Sequence, residues 1–131
     1  MKIAATIVRV LLGLAFLLFG TMAFLMAFHF MPSQELPAGL AGDFNRALGE
    51  SHYMLGVAAF EIVGGVLLLI GGRFTPLGLL LIGPVVVNIA FYHLFLDHDV
   101  MHAIPAVVVS VLSLFLLCVY RSAFAGLVRA S

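Results

Sequence analysis

Four long runs of apolar residues, each closed by polar or helix-breaking positions, organise this chain. They cover about residues 3–31, 53–70, 76–96 and 103–120, close to the ~20 apolar residues that a helix needs to cross a hydrocarbon core of about 30 Å. Their ends carry punctuation. Pro32 is expected to stop the first run and Gly71–Gly72 the second. Thr75 is expected to cap the third helix ahead of Pro76, and Asp99 the fourth, with Pro105 tolerated in its opening turns. Tyr53 and Tyr120 sit at run ends, where amphipathic rings favour the membrane interface. Between the first two runs, Leu40, Phe44 and Leu48 recur at i, i+4 and i+8, with Asp43 and an Arg46/Glu50 pair beside them. That pattern predicts a short amphipathic helix lying on the outer interface. The predicted fold is all-α and a single integral membrane domain over residues 1–131. It is a four-transmembrane-helix up-down-up-down bundle with a short interfacial helix in the first outer loop.

Composition sharpens this. Of 131 residues, 64% are hydrophobic and 9% charged, against about 25% charged in a soluble domain. Such a chain cannot cover its surface for water, and it has no basic face for nucleic acid. The single cysteine, Cys118, excludes an internal disulfide, a CxxC redox pair and a thiolate zinc site, and is read as a packing residue. Lys2, Arg9, Arg73, Arg121 and Arg129 fall on the side of the termini, and Arg46 alone falls opposite. By the positive-inside bias both termini are cytoplasmic. The first run is too long for a leader's apolar region and lacks a convincing A-x-A site, so it is read as a span. Arg9, about a turn and a half inside it, is expected to snorkel to the cytoplasmic headgroups.

Candidate chemistry rests on few residues. Glu61 lies about nine residues into the second span, near the midplane, where a charge costs about 2.5–3.5 kcal/mol on insertion scales. Its helix face is shared by Ala58, Gly64 and Gly65, the small residues that let backbones approach, so Glu61 is expected to point into the bundle. Asn88 in the third span is placed at similar depth, where a protonated Glu61 can share a hydrogen bond with its amide. Tyr92, at i+4, extends the polar stripe outward, and His93 follows it. Pro84, at i−4 to Asn88, frees a backbone carbonyl and can kink the helix. The plain alternative is that Glu61 and Asn88 are interhelical glue. All five histidines, His29, His52, His93, His98 and His102, map to the outer end. His98 and His102 are separated as two ligands of one metal can be, and are the weak candidates for a metal site.

The stretch from Glu61 to Leu96, EIVGGVLLLIGGRFTPLGLLLIGPVVVNIAFYHLFL, resembles the DoxX family of small four-helix bacterial membrane proteins. RVLLGLAFLLFG, from Arg9 to Gly20, resembles that family's opening segment, and the likeness extends from Arg9 to Tyr120. It is carried by the membrane glutamate, the RFTP turn, the PVVVNI stretch and the FYHLFL ending, in order. Many relatives place a polar or basic residue after the first-span glycine, where this chain has Thr21 and Ala23. The resemblance implies a four-span bundle in the bacterial cytoplasmic (inner) membrane. The family is linked to a thiosulfate:quinone oxidoreductase subunit. A mycobacterial member works with a thiol transferase and superoxide dismutase, and a distant animal relative assists receptor assembly.

Two functions are expected to compete. In one, Glu61, Asn88, Tyr92 and His93 orient the head of a quinone-like or other amphipathic molecule, with Phe91 and Phe95 against its body, in a redox-linked membrane subunit. In the other, the chain is a non-enzymatic scaffold or assembly subunit for a membrane-protein partner or a second copy of itself. The lipid bilayer is a partner in both.

Overall fold

A computed structural model describes residues 1–129, as six α-helices and no strands among them. These are α1 (Lys2–Ala27), α2 (Leu40–Glu50), α3 (Tyr53–Ile70), α4 (Thr75–Phe95), α5 (Val100–Val119) and α6 (Arg121–Val128), with a 3₁₀ turn at Gly72–Phe74. Helices α1, α3, α4 and α5 are long and apolar enough to cross a membrane. Large apolar side chains such as Leu11, Leu14, Val63, Leu80, Val107 and Leu114 are exposed around the bundle. A water-soluble surface rarely carries so continuous an apolar cover, whereas acyl chains solvate it.

Helix α1 packs chiefly on α3, α3 on α4, α4 on α5, and α5 closes back on α1. Two glycine pairs set the closest seams. A Cβ on Gly65 would stand 2.8 Å from the Gly13 carbonyl oxygen and the Leu17 nitrogen, and one on Gly78 would stand 3.0 Å from the Gly64 oxygen. Without a hydrophobic drive between helices in lipid, such backbone proximity supplies the packing attraction. Leu12, Phe16, Leu68, Ile82 and Leu116 fill the interior and are fully buried.

Several ends differ from expectation. Helix α1 stops before Pro32, because His29 takes a left-handed conformation at φ 59°. The Phe30 nitrogen then donates to the Leu25 oxygen and the His29 nitrogen to that of Met26, a Schellman ending with histidine in the place glycine usually takes. Thr75 does not cap α4. The 3₁₀ turn feeds Phe74 and Thr75 into helical backbone angles, so Thr75 lacks the extended geometry of a cap. Its side chain is instead buried, with Oγ1 unpartnered among the described residues. Asp99 does cap α5, its carboxylate accepting from the Met101 nitrogen at 2.9 Å.

Arg9 does not snorkel outward. Its guanidinium donates to the Leu68 and Leu69 carbonyls, the latter at 3.0 Å. Those oxygens lie in the last turn of α3, where helical partners run out and the helix dipole favours a cation. Cys118 is exposed on α5 rather than packed. In α2, Leu40 and Phe44 of the apolar stripe are exposed, and Ala41 and Gly42 are buried. A Cβ on Gly42 would collide with the Pro37 carbonyl, so only glycine lets the incoming strand of chain lie so close. Helix α6, which the sequence reading lacked, turns Phe124 onto the core.

Candidate functional site

The face that carries Glu61 also carries Ala58, Gly64 and Gly65, and all four are buried. Glu61 is 5% exposed, and its Oε2 has no hydrogen-bond partner among the described residues. Gly20 on α1 makes room for it: a Cβ there would sit 3.0 Å from the Cβ of Glu61. The carboxyl therefore turns inward, as the small-residue face predicts, and reaches open space.

That space is a groove of about 890 Å³ between α3 and α4, with α2 across one end. Glu61, Asn88, Tyr92 and His93 all line it. The expected bond between Glu61 and Asn88 is not made. Gly64 meets Leu81 and Ile82, and Gly78 meets Leu68, so rising numbers on α3 face falling numbers on α4. Glu61 consequently faces α4 about one turn short of Asn88, roughly 5 Å at 1.5 Å per residue. Asn88 Nδ2 donates instead to the Pro84 carbonyl at 3.0 Å, and the side chain is exposed although it lies within a span.

Tyr92 is held from across the groove. Its hydroxyl accepts from Asn45 Nδ2 at 2.7 Å, and its ring lies 5.8 Å from that of Phe44. Asn45 was not singled out in the sequence, since its partner stands on another helix 47 residues away. His52 also lines the groove, held at φ 59° between α2 and α3. Phe91 and Phe95 do not join the lining; their rings meet edge to face at 5.8 Å on an exposed face. The apolar wall is built from Phe44, Phe60, Leu81, Val85 and Ile89.

Where α4 gives way to α5, Asp97 gathers the imidazoles of His93 and His102. Its Oδ2 is 3.1 Å from His102 Nδ1 and 3.8 Å from His93 Nδ1, and its Oδ1 accepts from the Asp99 nitrogen at 3.2 Å. His98 and His102 do not act as a helical pair, because α5 begins after the Asp99 cap and leaves His98 outside it. No group of three or more His, Cys, Asp or Glu side chains is arranged so that it could hold a metal ion among the described residues.

The backbone bond from Asp99, then His102 and His93, hold the Asp97 carboxyl below its ordinary value of 3.8. A depressed folded-state value gives stability that is present above the unfolded value and lost as pH falls through the folded one. The Tm advantage of the wild type over Asp97→Asn in detergent is therefore expected to hold near neutrality and shrink below about pH 4. An advantage that stays constant to the acid limit would count against this.

No protein-family model, curated protein or solved structure matches the chain.

Proposed function

We propose that the chain is a DoxX-like protein of the bacterial inner membrane that binds a quinone-like amphipathic molecule in the α3–α4 groove, as a redox-linked membrane subunit. In this reading the four spans run up-down-up-down with both termini cytoplasmic, as the clustering of Lys2, Arg9, Arg73, Arg121 and Arg129 favours. Helix α2 lies on the outer interface and roofs the groove.

One observation carries the reading: a buried carboxyl oxygen with no partner among the described residues opens onto a groove of about 890 Å³. Small-molecule sites occupy about 300–1,000 Å³, with mostly apolar walls and a few convergent polar groups. The groove is bordered by Phe60 and Asn88, which are exposed on the outside of the spans. An occupant entering there comes from the bilayer, which selects a molecule with a long apolar body. Glu61 would bind its head at the deep end, Asn88 midway, and Tyr92 and His93 at the outer end.

A short-tailed benzoquinone titrated into the detergent-purified full chain tests this. Glu61→Gln and Asn88→Ala are each expected to weaken binding about tenfold, or about 1.4 kcal/mol. Equal affinity in wild type and both variants would sink the site. The exposed mid-span amide of Asn88 also favours the second reading, an assembly subunit whose partner helix covers it. A stable stoichiometric partner, with Tm changes in these variants and no quinone effect, would choose that reading.

A further inference from the structure

Three side chains at the outer end of the groove form a line that head-group binding alone does not use. His93 borders the groove, and its Nδ1 is buried without a hydrogen-bond partner among the described residues. That nitrogen faces Asp97 Oδ2 at 3.8 Å, and the same oxygen meets His102 Nδ1 at 3.1 Å. The His93 and Asp97 side chains are largely covered, at 17% and 11% exposed, whereas His102 is open at 61%. Asp97 Oδ1 is occupied by the Asp99 nitrogen, which leaves Oδ2 to the two imidazoles.

An imidazole can carry a proton on either nitrogen, and its charge changes near neutral pH. A carboxylate between two of them fixes their orientation and favours whichever one is charged. We infer that His93, Asp97 and His102 form a proton route between the groove and the outer surface, and that the groove's occupant carries an ionisable ring hydroxyl of the enol or hydroquinone kind. This rests on the ligand-binding reading above.

The step balances without an oxidant. The occupant's O–H bond breaks and an N–H bond forms at His93 Nε2, while the Nδ1–H bond breaks toward Asp97 Oδ2. Asp97 passes that proton to His102 Nδ1, and His102 releases one to water. No electron moves. The 3.8 Å separation closes as His93 becomes charged, because charge-assisted bonds are shorter and catalytic contacts are often long before a ligand arrives. The other ionisable groups facing this line are Asp99, 3.9 Å from His102, and Glu61, His52, Tyr53 and Tyr92 on the groove walls.

The probe is a short-tailed 1,4-naphthohydroquinone kept reduced in an oxygen-free cell, compared with its dimethyl ether, which has no proton to give. Proton release on mixing with the full chain in detergent is followed by stopped flow with a pH-indicator dye in weakly buffered solution, from pH 6 to 8. For the hydroquinone, Asp97→Asn and His102→Gln are each expected to slow proton release at least tenfold. Affinity for the ether should stay within threefold in both variants, which also shows that they fold. Proton release at the same rate in wild type and variants would overturn the route alone. Failure of the wild type to bind either compound would overturn the ligand-binding reading, and the route with it.

Discussion

Gly65→Leu is expected to cost about 3 kcal/mol of bundle stability, the upper part of the range for overpacking a close interface. The reason lies in what a side chain would meet. At 2.8 Å from a Cβ stand the Gly13 carbonyl oxygen and the Leu17 nitrogen, both backbone atoms of α1. Neither can rotate away, so α1 and α3 must separate, and the attraction across the largest seam of the molecule falls with them. Gly83→Ala is the matched control, because a Cβ there meets nothing within 4 Å. It should be neutral or slightly stabilising, through helix propensity alone. Reversible unfolding in mixed micelles measures both. Equal midpoints for the two variants would show that the glycine seam does not hold the helices together.

Arg9→Met is expected to cost about 2–3 kcal/mol, the scale of hydrogen bonds from a charged donor. Two part-buried carbonyls in the last turn of α3 lose their charged donor in this variant. Arg9→Lys should recover only part of the loss, since a single ammonium lacks the planar fork that serves two oxygens. An arginine that merely reached the headgroups would behave differently: lysine would replace it fully, and the cost of methionine would follow the anionic lipid content. Unfolding midpoints of both variants, in neutral and in anionic bicelles, separate the two cases.

The spans were legible in the sequence because length and hydropathy alone decide them, and the inward turn of Glu61 because Ala58, Gly64 and Gly65 mark one face. The existence of α2 was legible too, but its buried face was not. Leu40 and Phe44 carry the hydrophobic signal, whereas Ala41 and Gly42 are the buried residues, and the Asn45–Tyr92 bond ties the helix to α4, neither of which periodicity weighs. Arg9 and Asn45 were misjudged or missed for one reason: their partners stand 47 to 60 residues away, and nothing local announces them. The same distance effect undid the Glu61–Asn88 bond. Equal counting from the span ends gives similar depths, but the glycine contacts slide α4 by about a turn. The ends of α1 and α4 were misplaced because Pro32 and Thr75 are strong local signals that His29 and the 3₁₀ turn override.

The ring of helix contacts bears on how the bundle is made. Its three larger seams, α1–α3, α3–α4 and α4–α5, each join spans that follow one another along the chain. During synthesis each span after the first therefore finds its main partner already made, and no helix waits unpaired for a distant mate. Only the α1–α5 seam joins the ends of the series, so it closes last, and assembly proceeds like the leaves of a folding screen.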